Sequence, residues 1–106
     1  MEQTQDFRST IPDWSRYAEW VSPEHNKYYE VRVDLMDSGR WQMTVRFGRR
    51  PDLGAGTIKC TTHPSMAIAI GTAQAQFDSK IAKGYSQVER PHDANSQVRR
   101  DMRADL

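Results

Sequence analysis

The sequence predicts an α+β fold: a small, mostly antiparallel β-sheet with one α-helix packed on one face. Three observations carry this reading. Two runs alternate apolar and polar residues around a short glycine-ended turn, a third run is β-branched, and one later stretch has apolar residues at helical spacing.

Taken in order, residues 1–15 show little periodicity and are expected to form a flexible N-terminal segment. RYAEWV, Arg16 to Val21, reads as a first strand with Tyr17 and Trp20 as anchors, and SPEHN reads as a turn-rich connector. YYEVRVDL then sets Tyr29, Val31, Val33 and Leu35 on one face and Tyr28, Glu30, Arg32 and Asp34 on the other. WQMTVRF repeats the pattern, with Trp41, Met43, Val45 and Phe47 inward. Between them DSG, Asp37 to Gly39, suits a three-residue hairpin loop with glycine in the left-handed position.

That loop fixes a register. Leu35 should face Trp41, Val33 face Met43, Val31 face Val45 and Tyr29 face Phe47, while Glu30 meets Arg46 on the opposite side as a surface pair. A slip of one residue destroys the match.

TIKCTT, Thr57 to Thr62, reads as another strand. A helix is expected from Pro64 or Ser65 to Lys83, with Met66, Ile70, Ala73, Phe77 and Ile81 as its apolar stripe. Ser65 suits the N-cap, Lys80 and Lys83 the negative end of the dipole, and Gly84 the position after the last turn. Tyr85 and Val88 point to a short last strand. The folded domain is therefore placed at residues 16–88, followed by a flexible charged tail over 89–106.

Length and composition bound the function. A chain of 106 residues makes one domain at most. Its longest weakly polar run, PSMAIAIGTAQAQF, is too short and too polar to span a membrane, and the acidic N-terminus does not resemble a secretory signal. Cys60 is the single cysteine, which excludes an intramolecular disulfide and fits a reducing, cytoplasmic compartment. Residues 1–26 carry five acids and two bases, whereas residues 27–85 carry nine bases and five acids, so the expected folded core is about +4. Arg40 to Arg50 holds four arginines and no acid, the pattern of a patch that attracts a polyanion or of an ordinary solvated arginine face.

The residues give no catalytic constellation. His25, His63 and His92 lie far apart, none at metal-ligand spacing from another imidazole or a thiol. Ser65 lies outside any nucleophile signature, and GAGT lacks the lysine of a phosphate-binding loop. Cys60 reads as a small buried residue in a strand. No enzyme activity, cofactor or metal is expected.

NKYYEVRVDL, then VRFGRR after the hairpin, then SKIAKGY at the helix end, in this order and spacing, resemble the WGR domain over roughly Tyr17 to Val88. That module occurs in DNA-damage-responsive poly(ADP-ribose) polymerases and as short bacterial proteins. The resemblance implies a small, mostly antiparallel sheet carrying one helix. It also implies binding to the sugar-phosphate backbone near a DNA break and contact with neighbouring domains. It places Asn26 and Lys27 just before the second strand, Phe47, Gly48 and Arg49 at the Trp-Gly-Arg triplet, and Lys80 at a lysine near the helix end.

Two departures stand out. Phe47 replaces the signature tryptophan, keeping a flat apolar ring but losing the indole N–H. Pro51 stands about where a glycine is usual and brings no amide N–H to a phosphate, while Arg50 adds a second guanidinium. The expected function is a non-enzymatic module that contacts DNA backbone or ends through Asn26, Lys27, Phe47, Gly48, Arg49, Arg50 and Lys80. The competing reading is a protein-interaction or regulatory module using the FGRR face or the uncharged helix face from Pro64 to Phe77, which a second copy of the chain can also cover.

Overall fold

The computed structural model describes residues 11–51 and 56–91. The GAGT stretch is covered only from Gly56 on, and His92, most of the expected N-terminal segment and all of the tail after Pro91 lie outside the described residues. Five strands form one sheet: β1 (Trp14–Ser22), β2 (His25–Leu35), β3 (Trp41–Arg49), β4 (Thr57–His63) and β5 (Ser86–Gln87). Their order across the sheet is β4-β3-β2-β1-β5, all antiparallel, and α1 (Met66–Lys83) covers one face.

The β2–β3 hairpin has the register its sequence dictates, from Leu35 opposite Trp41 to Tyr29 opposite Phe47 and Glu30 opposite Arg46. Met36 N–H donates to the Arg40 carbonyl at 2.8 Å and Gly39 N–H to the Met36 carbonyl at 2.9 Å. Gly39 has φ 90°, where a side chain would be strained. The first turn is tighter than expected. Only Pro23 and Glu24 form it, so Asn26 and Lys27 lie inside β2 rather than before it, paired with Val21 and Trp20. Gly48 and Arg49 likewise remain in β3, opposite Tyr28 and Lys27.

Ser65 caps α1, its hydroxyl accepting from Ile68 N–H at 3.2 Å, and Gly84 ends it at φ 145°. The helix seats differently from the expected stripe. Ala69, Ala73 and Phe77 are buried, whereas Met66 and Ile81 are exposed. Two alanines let the helix backbone approach Val33, Val31 and Met43, and Phe77 then fills the wider end against Tyr29, ring centroids 6.4 Å apart.

The opposite face of the sheet is not the solvated surface its polarity suggests. Tyr17 and Tyr28 stack there, and Glu30, Asp34, Gln42 and Arg46 are all buried. Glu30 and Arg46 therefore face one another in the interior, 4.0 Å apart, not as a surface pair. Arg90, from the segment after β5, grips both carboxylate oxygens of Glu30, and Arg32 is bidentate to Asp34 at 2.8 and 3.1 Å. Burying charge this way is tolerable only where partners compensate it.

Candidate nucleic-acid interface

Residues directly opposite in a sheet share a face, so the register sorts the candidates. Trp20, Lys27 and Arg49 form one row on the helix-bearing face. Ala18, Tyr29, Phe47 and Thr57 form the next, followed by Arg16, Val31, Val45 and Lys59. The C-terminal half of α1 ends above these rows. Lys27, Phe47, Arg49 and Lys80 are thereby brought to one end of one face.

Each lysine there sits on an aromatic ring. Lys27 Nζ lies 4.8 Å from the Trp20 ring centroid and 5.8 Å from that of Tyr85. Lys59 Nζ is 5.6 Å from Phe47, and Lys80 Nζ is 5.3 Å from Tyr29. Burial pushes the Lys80 amine below the ordinary lysine range, and the positive charges of Lys83, Lys27 and Lys59 add to the effect. Among the described residues, none of Lys27, Arg49, Lys59, Lys80 and Lys83 is ion-paired to an acid. The positive charge is concentrated, and no acid among the described residues is paired with it.

The remaining candidates turn to the other face. Arg50 donates from Nη1 to Asn26 Oδ1 at 2.8 Å, and its Nε lies 3.3 Å from the Glu19 carboxylate. Glu19 also accepts from the Tyr17 hydroxyl at 2.7 Å. Burial, this hydrogen bond and the nearby negative charges push that hydroxyl above the ordinary tyrosine value. Asn26 and Arg50 thus hold the ends of β2 and β3 together, and Arg50 N–H extends the ladder to the Asn26 carbonyl at 3.0 Å. Gly48 also points this way. A Cβ placed on it would lie 2.9 Å from Gly56 Cα and 3.5 Å from Tyr28 Cε1.

Sequence reasoning missed Lys59 and Tyr85. Lys59 belongs to the cluster because it faces Val45 across β3–β4, a register that the connection from Arg50 to Gly56 hides. Tyr85 was read only as part of the last strand. With Tyr29, Phe47, Lys59 and Lys80 it lines a cavity of about 420 Å³ between the sheet and the C-terminal half of α1. Gln76, Ser79 and Thr61 supply polar groups around it.

The histidines and the cysteine among the described residues make local contacts. His63 Nε2 is 2.9 Å from the Thr61 hydroxyl, and the His25 ring stacks on Trp20 at 3.8 Å. Cys60 is half-buried, 3.7 Å from Gln42 Nε2. No group of His, Cys, Asp and Glu suited to a metal occurs among the described residues, and no helix among them is long and apolar enough to cross a membrane.

A family model described as the WGR domain matches residues 14–92, a span that includes every element above. No curated protein and no solved structure matches the chain.

Proposed function

The chain belongs to the WGR domain family, and from that premise we propose that it is a non-enzymatic module that binds nucleic acid. It would contact DNA backbone or DNA ends on the face carrying Lys27, Phe47, Arg49 and Lys80. The family is linked to nucleic-acid binding and is a binding-type domain. The observation that carries the reading to this face is the cluster of cations without acidic partners among the described residues, with Lys27, Lys59 and Lys80 seated on aromatic rings. Arginine and lysine match phosphate oxygens, and the rings offer flat surfaces to sugars and bases. Lys59 and Lys83 add to the same charge. Asn26, Gly48 and Arg50 support the face from behind by holding the strand ends.

The test is fluorescence anisotropy with blunt, 5′-phosphorylated and closed-hairpin duplexes over a salt series. Five cations on phosphates would give a log–log salt slope of about −4.5, and Arg49→Ala should flatten it by about 1 without unfolding the domain. No binding of any duplex at low salt would refute the reading.

A second reading draws on the helix. Met66, Ile68 and Ile81 are exposed beside a stretch without charge, which suits a protein partner or a second copy of the chain. Any effect on an enzyme would then be exerted on a separate chain. A concentration-dependent rise in mass that Ile68→Lys abolishes would support it.

A further inference from the structure

We propose that the cavity beneath Lys59 and Lys80 takes one unstacked nucleotide, its base between the aromatic walls and its phosphate at the two ammonium groups. This rests on the nucleic-acid reading of the same face and adds to it a specific occupant, an unpaired nucleotide rather than duplex backbone. The ligand can come from a single-stranded overhang or from a free mononucleotide.

The cavity has the size and chemistry this requires. About 420 Å³ lies within the roughly 300–1,000 Å³ typical of small-molecule sites. Its aromatic walls are Tyr29, Phe47 and Tyr85, with the Tyr29 and Tyr85 rings edge to face at 6.3 Å. Hydrogen-bonding groups border these walls. The Tyr29 hydroxyl is occupied by Gln76 Oε1 at 3.3 Å, whereas the Tyr85 hydroxyl has no hydrogen-bond partner among the described residues. The Thr61 hydroxyl is shared with His63 Nε2 at 2.9 Å and the Ser79 hydroxyl donates to the Gln76 carbonyl at 2.8 Å, which leaves the Ser79 oxygen as an acceptor for a base edge.

Charge selects the ligand's other end. Lys59 and Lys80 stand at the cavity on the rings of Phe47 and Tyr29, and Lys27 lies beside Tyr85. Burial first, and then the charges of Lys83, Lys27 and Lys59, lower the Lys80 amine, and an anion placed among these cations would offset the repulsive part. Alternating cations and ring faces are the pattern of single-strand binding, where each base has a face to stack and each phosphate a cation. A duplex keeps its bases stacked on each other, so an unpaired nucleotide is the one with a base free to enter the cavity.

The experiment compares three labelled duplexes by anisotropy: blunt, with a three-nucleotide overhang, and with the same overhang made abasic. The overhang should bind roughly 5- to 150-fold tighter than its abasic form, the range expected for one stacked base. Thr61→Trp and Ser79→Phe fill the cavity from β4 and from α1 without removing charge. At least one of them, shown folded by circular dichroism, should lose that preference and keep blunt-duplex binding. Equal affinity for normal and abasic overhangs overturns the nucleotide site and leaves the backbone reading standing. Should no DNA bind, the backbone reading fails, and titration with dAMP followed by amide shifts decides the cavity: shifts at Thr61 and Tyr85 support it, and their absence overturns it.

Discussion

Replacing Gly48 by alanine separates packing from ligand approach at the glycine of the FGRR stretch. The new Cβ would sit 2.9 Å from Gly56 Cα, a backbone atom that cannot rotate aside, and 3.5 Å from the Tyr28 ring. Gly56 is itself in a close approach, since a Cβ added to it would collide with the Tyr28 hydroxyl and the Phe47 carbonyl. Gly48 has no positive φ, so alanine brings no backbone strain and the cost is overpacking, about 1–3 kcal/mol. For a domain of this size that lowers Tm by roughly 4–24 °C. Gly71 is the control: no atom lies within 4 Å of its Cβ position, and it is inside α1. Gly71→Ala should therefore stabilise by about 0.5–1 kcal/mol. Thermal unfolding by circular dichroism measures both, and anisotropy well below each Tm measures DNA affinity of the folded protein. Gly48→Ala should lose stability and retain affinity. An unchanged Tm with lost affinity would refute the packing argument and return Gly48 to the contact surface.

Glu30→Ala removes a buried carboxylate that faces Arg46 and holds Arg90, so urea unfolding should show a loss of about 3–5 kcal/mol; a loss below 1 would mean water or other groups replace it. Arg50→Ala should lower stability modestly while leaving DNA affinity near wild type, the reverse of Arg49→Ala, because only Arg50 is tied to Asn26 and Glu19. Lys80 has a lowered folded-state pKa, so between that value and the unfolded 10.5 the unfolded chain binds more protons and this group's contribution to stability rises with pH. DNA affinity should fall over the same window as Lys80 discharges, and an NMR titration of its ammonium that showed an ordinary lysine would contradict this. Tyr17, Tyr29 and Tyr85 have raised values, so their contribution is intact below pH 10 and lost as pH climbs beyond it. Ultraviolet titration should show them ionising together with alkaline unfolding.

The fold was legible wherever a short-range rule determines a long-range outcome. DSG fixed the hairpin register because a three-residue loop permits one pairing, and alternation then assigned each side chain to a face. Ser65 and Gly84 marked the helix ends for equally local reasons. The helix stripe was legible at its centre, where Ala73 and Phe77 are buried and Ile70 packs on the core, but not at its ends, where Met66 and Ile81 are exposed and the small Ala69 is buried instead. The buried second face was illegible for a related reason. Glu30, Arg46 and Asp34 look solvated in a sequence, and only the return of Arg90 over the sheet, sixty residues beyond Glu30, shows otherwise.

The sequence names candidate site residues but not the surface they form. FGRR runs along one strand, and period two sends its alternate members to opposite sides: Phe47 and Arg49 toward α1, Gly48 and Arg50 toward Tyr28 and Glu19. A contiguous motif thus divides between two faces, and on the proposed reading Phe47 and Arg49 make contact while Gly48 and Arg50 give support. The contacting half draws its partners from elsewhere, Lys27 from β2, Lys59 from β4 and Lys80 from α1, each resting on a ring of another element. Loss of tryptophan at position 47 therefore removes less than the motif suggests. Trp20 and Tyr85 maintain aromatic surface beside Lys27, and Phe47, a smaller ring than tryptophan, lines the cavity with Tyr29 and Tyr85. On this argument Phe47→Trp would enlarge the stacking surface for backbone and ends while narrowing the cavity. Blunt-duplex affinity should rise as the preference for an overhang falls, and a variant that gained both would show that ring size does not govern the choice.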